Sequence, residues 1–297
     1  MLRHDQPQHV DQLPPEEPGH VPQRRTVLLA GLSAGFALAA NPIMAQVINT
    51  PTDGLTAGEV KVPTQSGDIP AYRAMPASGG PFPTVLVIEE IFGVHEHIRD
   101  ICRRFAKLGY YAIAPELFAR QGDASKADIQ TLLKDIVPKK PDAEAMSDLD
   151  ATASYVKASG SADTARLGII GYCWGGRIVW LYADHNPQVK AGVAFYGILG
   201  GKSSPVSAIK PTNPIDFGQR IKVPVLGLYG GSDDNIPPEL VKQMQDELAQ
   251  GGAGSQIVVY PDTPHGFFAD YRPSYRPDIA KEAWAKAQAW FKDHGVA

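Results

Sequence analysis

Where the apolar run 167–171 meets the helical stretch Trp174–His185, the chain must turn from strand to helix almost at once. That junction reads Gly171-Tyr172-Cys173-Trp174-Gly175-Gly176. A strand that passes straight into a helix belongs to a parallel sheet, because parallel neighbours need a helical crossover to return. The pattern Gly-x-Cys-x-Gly describes a nucleophile elbow with cysteine in the place of serine. The elbow residue is forced into a strained backbone conformation, and a side chain at either flanking glycine would crowd the turn.

The rest of the chain keeps the same alternation. Residues 84–88 form a continuous apolar run, as expected for a strand buried on both faces. Residues 97–108 place Ile98, Ile101, Phe105 and Leu108 on one helical face and stop at Gly109. Strands are further predicted at 110–114, 189–196, 223–229 and 256–260, and helices at 143–159, 238–250 and 279–294. Ahead of them, 58–63 and 69–75 read as an antiparallel pair joined by Ser66-Gly67-Asp68. The expected fold class is α/β, with a mostly parallel central sheet and helices on both faces. Ligands of such sheets bind beyond the carboxyl ends of the strands.

Three chemistry-bearing segments fall there. Cys173 stands at a helix start, where the helix dipole favours thiolate, and the Trp174 N–H would face a developing oxyanion. Downstream, the strand at 223–229 runs into Gly230-Gly231 and then Asp233 and Asp234, and the strand at 256–260 is followed by a loop carrying His265. The order nucleophile, acid, histidine is that of an α/β-hydrolase triad. His265 would deprotonate the thiol and later a water, while a carboxylate fixes the imidazole's tautomer. Either aspartate can serve, and the Gly-Gly-x-Asp spacing favours Asp233. His185 and His294 lie in helices away from these ends, and His95 and His97 read as the beginning of a helix. The histidines and acids show no metal-ligand spacing, and no cofactor is expected.

These residues resemble the dienelactone hydrolase family (carboxymethylenebutenolidases), members of the α/β-hydrolase superfamily. The resemblance spans roughly 58–295. It is carried by Glu89-Glu90-Ile91-Phe92-Gly93, by Pro115-Glu116-Leu117-Phe118-Ala119-Arg120, by the elbow, by Gly230–Asp233 and by Pro264-His265-Gly266-Phe267. It implies a Cys173-His265-Asp233 triad, a cysteine-activating Glu90, a second oxyanion N–H from Ile91, and Arg120 binding a substrate carboxylate. The family's second carboxylate-binding arginine falls at Ala269 here, with Arg272 and Arg276 nearby as substitutes. Glu90, beside an aliphatic stretch, is expected to be partly buried near the thiol with a raised pKa, and Glu89 to be the solvated member of the pair.

The expected reaction is cleavage of a small ester or lactone through an acyl-thioester. Thiolate leaves a tetrahedral intermediate more readily than an ordinary alkoxide, so enol lactones and aryl esters suit the sulfur best. Two other readings start from the same residues: a broad-specificity carboxylesterase, and a non-catalytic protein that captures a small anion.

The first forty-five residues look unlike folded domain. Residues 1–23 are polar, Arg24-Arg25 follows, then a weak apolar run at 30–40, and Ala45 offers a small residue for cleavage. This is the form of a twin-arginine signal peptide, expected at 1–45, with a linker at 46–57 and the catalytic domain at 58–297. Export, most simply to the periplasm, follows. A net charge of -4 over 297 residues gives no footing for nucleic acid or an anionic membrane, and no stable membrane contact is expected once the signal is removed. The two cysteines, Cys102 inside a predicted helix and Cys173 in the elbow, do not form a disulfide scaffold.

Overall fold

The computed structural model describes residues 47–297; the signal-peptide expectation at 1–45 lies outside them. Eight strands form one sheet in the order β1-β2-β4-β3-β5-β6-β7-β8. They are β1 (Leu55–Val62), β2 (Ile69–Pro76), β3 (Phe82–Ile88), β4 (Tyr111–Pro115), β5 (Ala162–Tyr172), β6 (Ala191–Phe195), β7 (Val225–Gly230) and β8 (Gln256–Tyr260). β1 and β2 pair antiparallel, β2 meets β4 antiparallel, and β4, β3, β5, β6, β7 and β8 run parallel. The longer helices are α1 (Glu96–Lys107), α2 (Asp142–Ala158), α3 (Trp174–His185), α4 (Pro238–Ala249) and α5 (Pro277–Asp293). This is the α/β-hydrolase architecture.

The apolar runs end up as the central strands. Val85, Leu86, Val87 and Ile88 of β3 are all 0% exposed. Burying each such side chain contributes about 1.5–3 kcal/mol, which is why continuous apolar runs choose the middle of the sheet. α1 presents Ile98, Ile101 and Phe105 to the sheet, as its spacing predicts, and Leu108 stays exposed at its end.

The domain begins earlier than its sequence suggests. Residues 55–57, expected in a linker, belong to β1 and pair in register with β2. The segment before them is tied down as well. The Thr50 N–H donates to Asp100 at 2.5 Å, and Arg103 donates to the Thr50 carbonyl at 2.9 Å. Polar residues there satisfy charged partners on α1, a long-range pairing that local composition does not reveal.

Candidate active site

β5 delivers Cys173. Cys173 has φ 55 and ψ -114, the strained backbone expected at the elbow, and α3 begins at the next residue. Its N–H donates to the Phe195 carbonyl at 3.0 Å, which fastens the turn to β6. The flanking glycines are required sterically. A Cβ on Gly171 would lie 2.3 Å from the Gly175 carbonyl oxygen, and one on Gly175 would lie 2.4 Å from the Glu89 carbonyl oxygen. The elbow therefore packs directly on the end of β3, which leads into Glu89, Glu90 and Ile91.

β7 and β8 deliver Asp233 and His265. Their loops are stitched together by the Gly231 N–H on the Tyr260 carbonyl at 2.7 Å and the Ser232 N–H on the Thr263 carbonyl at 3.0 Å. His265 Nδ1 then sits 2.7 Å from Asp233 Oδ2, while Asp233 Oδ1 accepts the Asn235 N–H at 2.8 Å. Asp233 is buried and Asp234 is exposed, so of the two neighbours the structure brings Asp233 to the histidine. Cys173 lies within interaction reach of the His265 imidazole. Burial opposes charge on the imidazole, but Asp233 and Cys173 outweigh it and push the pKa up to about 10.

Glu90 has a different setting from the one expected. It is fully buried, but its pKa is lowered. Burial alone would raise it; Arg272 and His95 overcome that. Tyr271 Oη donates to Glu90 Oε2 at 2.5 Å, Arg272 Nη2 pairs with Oε1 at 3.2 Å, and His95 Nε2 lies 3.6 Å from Oε2. Glu90 is thus a fixed anion inside a cluster that the sequence reading did not assemble. Glu89 is corrected too. It is 0% exposed, and burial together with Glu116 raises its pKa well above the usual range. Its Oε1 accepts the Leu117 N–H at 2.8 Å. His97, read as a helix starter, is buried and bonded to Asp270 at 3.0 Å.

Of the two arginines considered in place of Ala269, Arg272 is buried against Glu90, while Arg276 is exposed and donates to the Pro273 and Tyr275 carbonyls. Arg120 departs from expectation. Its guanidinium is engaged by Asp148 through two bonds of 2.9 and 3.0 Å, with Glu144 at 3.5 Å and the Thr64 hydroxyl at 2.5 Å. A fork already filled by a carboxylate is not open to a second one, and Arg120 does not reach the cavity described next.

Cys173, Trp174 and Ile91 line one cavity of about 410 Å³. Ile198, Leu133 and Val137 add apolar wall to it. Its cap comes from two segments the sequence reading left unassigned, the turns Leu132–Ile136 and Val137–Lys139, and the loop 202–210.

A mostly parallel eight-stranded sheet that brings a cysteine on a strained strand-to-helix turn beside a histidine paired with a buried aspartate is the arrangement of an α/β-hydrolase. The chain matches the description of the dienelactone hydrolase family over residues 69–295, and it belongs to that family. It is 58% identical to a Methylorubrum extorquens protein over 276 residues, 92% of this chain and 94% of the other. An Escherichia coli relative is 51% identical over 264 residues, covering 88% and 96%. Both relatives carry the name carboxymethylenebutenolidase as a provisional assignment. The crystal structure of a Klebsiella pneumoniae protein, provisionally a dienelactone hydrolase, is 51% identical with a TM-score of 0.77, covering 80% of this chain and 98% of that one. The chain is accordingly a hydrolase of the dienelactone hydrolase type.

Proposed function

We propose that the protein cleaves a small ester or lactone through Cys173, His265 and Asp233 by way of an acyl-thioester. The observation that supports this reading is the pairing of His265 with Asp233 at 2.7 Å, with the elbow cysteine among the groups that act on the imidazole. Relatives named for a lactonase activity support the substrate class.

In this mechanism the raised His265 holds the thiol's proton, and the sulfur attacks the carbonyl carbon as thiolate. The buried Arg272 guanidinium lies within electrostatic reach of Cys173, and Glu90 anchors it there. The oxygen that becomes negative is taken up by the N–H groups of Trp174 and Ile91, an arrangement typically worth ~10²–10³ in rate. The C–O bond then breaks, and His265 gives its proton to the departing oxygen. Water, deprotonated by His265, attacks the thioester; the C–S bond breaks and the acid is released with the thiolate restored. Because sulfur is the better leaving group, the first tetrahedral species returns to substrate unless the departing oxygen is stabilised, as in an enol lactone or an aryl ester.

The same proposal includes export of residues 46–297 by the twin-arginine route, on the strength of Arg24-Arg25, the weak apolar run and Ala45.

The test is a set of matched lactones, aryl esters and alkyl esters offered to the mature chain, before and after iodoacetamide. Aryl esters and enol lactones should be favoured, and loss of activity should track alkylation of Cys173. Full activity with Cys173 alkylated would remove the mechanism.

A further inference from the structure

We propose that the cap of the active-site cavity is an anion subsite built by Lys134, Lys202 and Lys210, which selects substrates carrying a carboxylate several bonds from the scissile carbonyl. This deepens the hydrolase reading above and rests on it for the word substrate.

The cavity is lined by two kinds of residue. Apolar Ile91, Trp174 and Ile198 line it together with Cys173. At the cap, Lys134, Lys202 and Lys210 line the same space, with hydroxyls from Ser203, Ser204 and Ser207, and no carboxylate lines it. A fourth cation, Arg177, is already matched: it makes two bonds of 2.7 and 2.8 Å to Asp142 and donates to the Thr212 carbonyl at 2.8 Å. The three lysines have no such match. Among the described residues no carboxylate lies within 4.0 Å of any of them, whereas nearby Lys139 and Lys140 are paired with Asp135, Glu144 and Asp148.

Lys210 is the informative member. It is half-buried beside the Arg177–Asp142 pair, and its Nζ donates to the Val137 carbonyl at 2.8 Å. An ammonium has three donors, so two remain for other partners. That bond also joins the cap's two segments, together with the Asp142 N–H on the Ile209 carbonyl at 2.9 Å. A half-buried cation that also feels a neighbouring guanidinium is costly to keep charged; burial and Arg177 lower its pKa, and Asp142, beyond ion-pair distance, offsets them only in part. An anion bound there relieves both effects. Lys134 and Lys202 are exposed and would close around the anion from the solvent side. The arrangement fits an acyl chain that runs from the thioester carbon past Leu133 and Val137 to a terminal carboxylate.

The test compares kcat/KM for p-nitrophenyl hexanoate and mono-p-nitrophenyl adipate, a pair differing at the far end of the acyl chain. Losing one charge-assisted contact corresponds to a factor of roughly 10–100. The adipate-to-hexanoate ratio should therefore fall about tenfold or more in Lys210→Gln and return in Lys210→Arg. A smaller fall is expected in Lys134→Gln/Lys202→Gln, whose exposed positions keep the test valid if Lys210→Gln fails to fold. In parallel, Cys173 is alkylated with maleimides ending in a carboxylate or in a carboxamide, which requires no hydrolysis. The carboxylate reagent should be favoured in the wild type and lose its advantage in the same variants. An adipate-to-hexanoate ratio and a reagent preference that stay within twofold across all variants overturn the subsite. If neither ester is cleaved but the maleimide preference follows the lysines, the subsite stands and the hydrolase reading fails.

Discussion

Arg272→Met should be among the most destabilising single substitutions in the domain. Both Arg272 and Glu90 have side chains 0% exposed, so solvent screens their pairing little. Removing one partner of a buried pair costs about 3–5 kcal/mol, because the other charge is left without compensation. For a domain of this size that corresponds to roughly 6–20 °C in Tm. Glu90→Gln/Arg272→Met should recover much of the loss, since no net charge then remains at that point. Glu90 also gives the effect a pH signature. Its folded pKa is depressed, so its contribution is fully present above the unfolded value of about 4.3 and is lost as pH falls through the folded one. Urea titrations followed by tryptophan fluorescence measure all three variants. The wild-type advantage over Glu90→Gln should be flat from pH 5 to 8 and shrink below about pH 4. Single variants that each cost under about 1 kcal/mol and simply add in the double variant would refute the buried pair as a structural element.

Asp233→Asn should lower kcat by about 10²–10⁴-fold by releasing the wrong imidazole tautomer, while Asp234→Asn, at an exposed position, should change it little; the reverse ranking in steady-state assays would reassign the acid. Arg120→Ala should cost about 1–3 kcal/mol in stability through its Asp148 bonds and reduce turnover of charged and neutral esters by the same factor; a selective loss on anionic esters would return Arg120 to the substrate. The full-length Arg24→Lys/Arg25→Lys chain should fail to reach the periplasm in fractionated cells, and normal accumulation there would remove the twin-arginine proposal.

The sheet was legible because its central strands are continuous apolar runs and its helices carry their period openly. The strand at 256–260 and the helix at 174–185 match the structure to the residue. The segments carrying Cys173, Asp233 and His265 were legible for a related reason: each follows the carboxyl end of a strand, and the topology gathers such ends. The supporting cluster was not. Tyr271 and Glu90 are 181 positions apart in the chain, and nothing local to either announces the other. Arg272 stands three residues beyond Ala269, where the family pattern puts its arginine, and only the course of the loop shows that its side chain reaches Glu90. Glu89 reads as solvated because a lone carboxylate should be; a nearby second carboxyl, Glu116, and the Leu117 N–H are what make its burial tolerable. Arg120 misled for the opposite reason. Glu144 and Asp148 stand four residues apart on one face of α2, and that acidic pair, shared with Lys140, claims the guanidinium. The cap was missed because short 3-10 and π turns carry no long period to detect.

The acyl-thioester is the central claim, and rapid quench of the enzyme with p-nitrophenyl acetate, followed by peptide mass spectrometry, tests it most directly. One acetyl group should appear on Cys173 during turnover and none on Cys102, which is fully buried and whose thiol burial pushes well above its usual range. It should form at the rate of the p-nitrophenol burst and vanish in Cys173→Ala. Turnover without any acylated Cys173, or a burst that persists in Cys173→Ala, would contradict the mechanism.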